Sequence, residues 1–176
     1  VASSAGKENR LTYLMYLSAV RFSERSVHLT NAYFVPDEDM MNALVDAAKR
    51  DVDVKIVLSG ATDSALVFVA ARSFYTRLLE AGVKLYERRD AILHAKTGVI
   101  DGLWSTVGST NMDFWSFLRD NEVNAVIIGP EFARKMEALF KTDLDASEPV
   151  RLDEWKNRPW TERFMEWFVR YFAYWL

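Results

Sequence analysis

The chain has 176 residues, enough for one domain with a substantial core, and its 50% hydrophobic and 27% charged content is the ordinary balance of a soluble globular protein. A net charge of -3 gives no global pull toward nucleic acid, so an anionic phosphodiester would have to be held by local groups. The absence of cysteine excludes disulfides and thiolate metal sites.

No apolar run is long enough to span a bilayer, and no signal peptide is visible. The sequence opens on Val1 rather than Met, which leads us to expect a segment upstream. Val1 to Asn9 are small and polar and are expected to form a loose lead-in (residues 1–10). Helical spacing of Leu11, Leu14, Met15 and Leu17, continued from Ser18 to Phe22, predicts a helix from Arg10 to Ser23. Val27 to Val35 is rich in β-branched and aromatic residues and stops at Pro36, which predicts one strand. Asp37 is placed to cap a helix with an apolar face of Met40, Met41, Leu44, Val45 and Ala48.

A short strand at Val54 to Leu58, a helix from Ser64 to Ala81 stopped by Gly82, and a strand at Val83 to Tyr86 follow. This alternation predicts an α/β fold with parallel strands and right-handed crossovers. The pattern then changes. Ile92 to Ile100 and Leu103 to Val107 flank Asp101-Gly102, the signal of a two-residue hairpin. Glu122 to Ile128 reads as a strand and Pro130 to Leu144 as a helix. The expected domain, residues 11–148, is a mixed central sheet flanked by helices, with an amphipathic aromatic segment over 149–176.

The segment His94 to Asn111 reads HAKTGVIDGLWSTVGSTN. Alternate side chains of a strand share a face, so His94 and Lys96 point the same way. With Asp101-Gly102 as the turn, Ile100 pairs with Leu103 and His94 comes opposite Ser109. One face then carries His94, Lys96, Ser109 and, further on, Asn111. An imidazole, an ammonium, a hydroxyl and an amide suit a phosphate. Asp101 falls in the turn, far from His94, and is expected to close the hairpin through its side chain.

His94, Lys96, Asp101, Gly108, Ser109 and Asn111 match the pattern H-x-K-x4-D-x6-G-S-x-N with every spacing intact, and on these residues the chain resembles the phospholipase D superfamily. Tyr33 to Asp37, Ala81 to Glu87 and Asn121 to Asn124 narrow the resemblance to bacterial cardiolipin synthases, and it covers nearly the whole chain from Leu11 onward. The resemblance implies the phospholipase D-like fold and phosphatidyl transfer: His94 attacks phosphorus to form a phosphohistidine, splitting one hard displacement into two easier ones. It also implies that Glu122 fixes the histidine tautomer, and that Lys96, Ser109 and Asn111 hold the non-bridging oxygens. Gly108 and Asp101 are structural in this reading, and no metal or other cofactor is expected.

In-line displacement puts the leaving oxygen opposite the attacking nitrogen, where it needs a proton donor. His94 cannot occupy both places, and the only other histidine, His28, sits early in a predicted strand with no lysine two residues on. His28 is therefore read as a strand histidine. The general acid is expected from a second motif-bearing half, in the same polypeptide or a twofold partner. The chain departs from the cardiolipin synthase pattern in two places: Ala32 stands for the usual proline, and no arginine precedes Ser116-Phe117. Arg72, Arg77, Arg88 and Arg89 are read as a solvated basic face rather than a phosphate cleft.

Beyond Pro159, Trp160, Phe164, Trp167, Phe168, Tyr171, Phe172, Trp175 and Leu176 recur at helical spacing. Two readings of this aromatic face stay open: a helix lying in lipid headgroups, or one packed on the domain or a missing half. The expected partners are anionic phospholipids such as phosphatidylglycerol and a second half, at the bacterial cytoplasmic membrane as a peripheral protein, and nucleic acid is not expected. Two alternatives remain: a homodimeric phosphodiesterase or nuclease, and a non-catalytic lipid-binding domain.

Overall fold

The computed structural model describes residues 2–3, 11–61, 65–113, 116 and 121–172. In chain order its elements are β1 (Ala2–Ser3), α1 (Leu11–Arg21), β2 (Ser26–Asn31), β3 (Phe34–Val35), α2 (Glu38–Lys49) and β4 (Asp53–Ser59). Then come α3 (Ala65–Arg72), α4 (Tyr75–Glu80), β5 (Lys84–Arg88), β6 (Lys96–Ile100), β7 (Trp104–Gly108), β8 (Met112–Asp113) and β9 (Glu122–Ile128). The chain finishes with α5 (Pro130–Asp145), β10 (Glu148–Pro149), α6 (Leu152–Lys156) and α7 (Trp160–Phe172).

The central sheet is mixed, in the order β1-β9-β7-β6-β2-β4-β5-β10. Strands β2, β4 and β5 run parallel, joined by helical crossovers, while β6, β7 and β9 are antiparallel. The β-branched residues of the parallel strands bury both faces, as that topology demands. Val27, Leu29, Val54, Ile56, Leu58, Leu85 and Ile100 join the buried side chains of α1 to α4 in one core. On the opposite face α5 covers Val99 with Ala133 and Met136, and Val57 with Phe140. Fully burying a residue such as Leu44 or Ile56 stabilises the fold by about 1.5–3 kcal/mol.

Asp37 caps α2 as expected, its Oδ1 accepting the Met40 N–H at 2.9 Å. Three expectations are corrected, and the buried side of α1 is decided. The predicted strand Val27 to Val35 is two strands: the Asn31 Oδ1 accepts the Met112 N–H at 3.1 Å, and Phe34–Val35 leaves the main sheet to pair with β8. The predicted helix Ser64 to Ala81 breaks at Ser73, whose hydroxyl donates to the Ala70 carbonyl at 2.6 Å, and its first residue lies outside the described ones. Helix α1 buries Thr12, Tyr13, Tyr16, Leu17 and Val20, whereas Leu11, Leu14 and Phe22 face outward. Finally, Ala2–Ser3 of the supposedly loose lead-in pairs with Val123 and Glu122 at the sheet edge.

At one end of the sheet the carboxyl ends of β2 and β7 meet the amino ends of β6 and β9. This brings Asn31, Lys96, Gly108 and Glu122 to a common edge. Crevices at the carboxyl ends of parallel strands are where α/β sheets bind ligands. Among the described residues, no helix is long and apolar enough to cross a membrane.

Candidate active site

The hairpin that carries the motif sets the geometry. Asp101 and Gly102 adopt φ of 55° and 64°, and the Leu103 N–H reaches the Ile100 carbonyl at 3.1 Å, a primed two-residue turn. Leu103 is then an extra residue, because the ladder pairs Ile100 with Trp104 and Thr97 with Val107. The register is thus one residue off the sequence-based expectation, and a one-residue slip exchanges the faces. Lys96 shares its face with Gly108, not with Ser109. The strand also begins at Lys96, so His94 lies in the approach to β6 rather than within it.

Asp101 does not close the hairpin on itself. Its carboxylate accepts backbone N–H groups of Glu24 (3.2 and 3.0 Å), Arg25 (2.8 Å) and Ser26 (2.9 Å), tying the turn to the start of β2. Burial pushes its pKa up, but these donors outweigh it and hold the carboxyl below its usual range.

His94 has an exposed side chain on a backbone pinned from both sides. Before it, Leu93 is buried with Val57 and Phe140, and its N–H donates to the Ser59 Oγ at 3.3 Å. After it, Lys96 is only 5% exposed and its ammonium donates to the His94 carbonyl at 2.9 Å. An ammonium has three N–H donors, so others remain for an anion. Burial lowers the Lys96 pKa, while the negative charges of Glu122 and Asp113 partly restore it.

Glu122 is buried at the start of β9, on the face it shares with Lys96. Among the described residues no hydrogen bond or ion pair joins it to His94; its charge acts on Lys96. Ser109 is exposed, its hydroxyl accepts the Val123 N–H at 3.1 Å, and its N–H donates to the Val123 carbonyl at 3.1 Å. Asn111 buries its Oδ1 with no hydrogen-bond partner. Buried acceptors left unpaired are rare in folded proteins and call for a local reason such as a bound ligand.

Gly108 is required for space. A Cβ there would overlap Asn124 and the Val123 carbonyl oxygen. Asn124, fully buried, receives the Thr110 hydroxyl on its Oδ1 at 2.6 Å and donates through Nδ2 to Thr106 Oγ1 at 3.1 Å and to the Tyr16 hydroxyl at 3.3 Å. It shapes the Ser109–Asn111 loop from below. Sequence reasoning included Asn124 in a matching stretch but gave it no role; an Asn mid-strand between apolar residues was the available signal. Asn31, holding the Met112 N–H beside Lys96, was missed in the same way.

His28 lies away from this edge, its Nδ1 2.7 Å from a Glu137 carboxylate oxygen and its ring stacked on Phe140 at 4.7 Å. The arginines do not form a solvated basic face. Arg72 and Arg89 bind Glu87, Arg77 binds Glu38, and Arg88 binds Asp90 and Asp143. Phe114, Trp115 and Phe117 lie outside the described residues. Among the described residues no cluster of His, Asp and Glu side chains is arranged to hold a metal ion.

An exposed imidazole on a fixed backbone beside a buried cation is an arrangement that can present a nucleophile to an anion. The family described as "Cardiolipin synthase, PLD-like domain" matches residues 16–144. The chain is 34% identical over 173 residues to cardiolipin synthase A of Pectobacterium carotovorum subsp. carotovorum, covering 98% of this chain and 36% of that protein. It is 38% identical over 152 residues to the cardiolipin synthase of a Geobacillus species, covering 86% of this chain and 30% of the relative. The chain thus spans about a third of the length of these curated relatives. Among solved structures, the phospholipase D family member Nuc from Salmonella typhimurium superposes with a TM-score of 0.70 at 25% identity, covering 86% of this chain and 98% of Nuc. Phosphatidylserine synthase from Haemophilus influenzae shares the fold with a TM-score of 0.74 at 12% identity, covering 98% of this chain and 44% of that one.

Proposed function

The chain belongs to the family of cardiolipin synthase phospholipase D-like domains, and on that premise we propose that it transfers a phosphatidyl group through a phosphohistidine at His94. The observation that carries this reading is the exposed His94 imidazole, pinned at the backbone immediately before the buried Lys96 ammonium. The neutral imidazole attacks the phosphorus of an anionic phospholipid such as phosphatidylglycerol. A nitrogen–phosphorus bond forms as the bond to the leaving alkoxide breaks. A second lipid hydroxyl then attacks the phosphohistidine, giving its proton to the group that protonated the first alkoxide, as the nitrogen–phosphorus bond breaks and His94 is released. Lys96 offsets charge on the non-bridging oxygens, the Asn111 amide donates to them, and Glu122 steadies the histidine once substrate is bound. Ser109, off the face of Lys96, holds the loop through Val123.

The leaving alkoxide takes its proton from a second motif-bearing half, since His28 is held under α5. The comparison coverages support such pairing: this unit amounts to nearly all of Nuc and less than half of the Haemophilus enzyme. The place of action is the bacterial cytoplasmic membrane, as a peripheral protein, with no cofactor. The coverage of Nuc also favours a second reading, a homodimeric phosphodiesterase with one His94 from each copy.

A diester with a p-nitrophenolate leaving group needs no proton donor and isolates the attack by His94. The expected result is one nitrophenolate released rapidly per chain, with phosphate label trapped on His94. A natural phospholipid should stay slow until a second half is added. Absence of label on His94 would overturn the proposal. Solution mass by light scattering separates the two readings, since a stable dimer supports the phosphodiesterase.

Because burial lowers its pKa, the Lys96 ammonium discharges at lower pH than an ordinary lysine. The folded state favours the neutral amine, so the stability cost of Lys96 is present below its folded pKa and fades as pH rises. For kcat/KM the sign is opposite: activity is lost as the ammonium is lost. The alkaline limb is expected below the usual lysine value of about 10.4. Glu122→Gln should move it lower still, and Lys96→Arg should remove it from the accessible range. A limb unmoved by Glu122→Gln would show that the two charges do not communicate.

A further inference from the structure

Helix α7 presents its apolar face outward. Helical spacing puts Trp160, Phe164 and Trp167 on one stripe with Phe168 beside it, and Trp160 and Trp167 are 75% and 67% exposed. The opposite side, pressed toward the domain, carries Glu166 and Val169, 6% and 4% exposed. A helix that serves only its own core turns its apolar stripe inward. Here one buried arginine–carboxylate pair, with Val169 in the core, holds the reverse orientation. Arg158 binds Glu166 through Nε at 3.1 Å and through Nη2, and its guanidinium lies over the buried Trp155 ring at 3.9 Å. Arg72 faces Glu162 at 4.0 Å.

This arrangement sorts the charges of the helix. Glu162 and Glu166 are turned toward domain arginines, while Arg163 is exposed and has no ion-pair partner among the described residues. The outer surface therefore combines indole and phenyl rings with a free guanidinium. Indoles favour the polar–apolar boundary of a bilayer, and guanidinium binds lipid phosphate.

The placement suits the site. Arg72 meets Glu162, and Phe68 and Val69 line a cavity with Met165 and Glu166, so α7 runs antiparallel to α3. Helix α3 starts beyond the carboxyl end of β4, at the edge that carries Lys96. The far end of α7 thus points toward the catalytic end of the sheet, and Leu66 on α3, 54% exposed, extends the apolar surface.

We propose that the outer face of α7 is the surface on which this chain lies against a bilayer containing anionic phospholipid. This rests on the reading that its substrate is a lipid. The test is sedimentation with vesicles of mixed phosphatidylglycerol and phosphatidylcholine, read together with tryptophan quenching by brominated lipid. The chain should bind these vesicles more tightly than phosphatidylcholine alone. The triple variant Trp160→Ser, Phe164→Ser, Trp167→Ser should lose about tenfold or more in binding, and Arg163→Glu a smaller factor. These side chains are exposed, so circular dichroism and melting should stay near those of the parent. His94→Ala should bind vesicles normally, so a failure of the transfer chemistry would leave this result intact. Unchanged vesicle binding by the triple variant would overturn the proposal. So would a parent chain that ignores vesicles but self-associates through this face.

Discussion

Replacing His94 with alanine is expected to lower the rate of nitrophenolate release by roughly 10⁴- to 10⁶-fold, the scale on which enzymes lose turnover when a covalent nucleophile is removed. The loss should fall on kcat, because the anion site keeps its cation. His94 is exposed and its side chain enters no hydrogen bond among the described residues. The melting temperature should therefore change by no more than a surface substitution does, about 0.5 kcal/mol in stability. Lys96→Ala makes the informative contrast. That side chain is buried and holds the His94 carbonyl, so its loss should reduce activity and free the His94 backbone, while relieving the cost of a buried charge. A His94→Ala protein that keeps more than about a hundredth of parent turnover would show that another group attacks phosphorus.

Gly108→Ala is the second large effect. The added Cβ meets the Asn124 side-chain amide and the Val123 carbonyl oxygen. The backbone of β9 cannot yield without parting Gly108 from Asn124, its ladder partner. Nor can Asn124 swing aside cheaply, since its amide holds Thr110, Thr106 and Tyr16 in a buried network. Overpacking and broken buried hydrogen bonds together predict a loss of roughly 2–5 kcal/mol. Chemical denaturation would measure it, and phosphodiester cleavage should fall as well because Ser109 and Asn111 follow directly. Adding Asn124→Ala should recover part of the loss by removing one of the two clashes, leaving the one with Val123. If Gly108→Ala melts like the parent, β7 and β9 have room for a methyl group at this position.

Much of this protein was legible without coordinates. Motif spacing nominated His94, Lys96, Ser109 and Asn111 as candidates, because a fixed sequence of residue types is local information. β-branched runs broken by helical spacing marked the mixed α/β fold, and the carboxylate at Asp37 marked the start of α2. Periodicity also found α1 but not which of its sides is buried: Tyr13, Tyr16 and Leu17 meet the core, while Leu11 and Leu14 do not. Hydropathy ranks side chains; it does not say which side of a helix has neighbours.

Other features lie in contacts between residues far apart in sequence, and only the folded chain decides those. The extra residue at Leu103 shifts the hairpin register by one and moves Ser109 off the face of Lys96. Asn31 draws Met112 across 81 positions and so splits one predicted strand in two. Asp101 fastens its turn to Glu24, Arg25 and Ser26 rather than to its own hairpin. The aromatic tail shows the division most plainly. Its amphipathic pattern is written in the sequence, but whether that stripe faces core or solvent depends on which charges the domain offers to the other side. Arg158 takes the carboxylate of Glu166 and Arg72 faces that of Glu162, and the rings of Trp160, Phe164, Trp167 and Phe168 are left facing out.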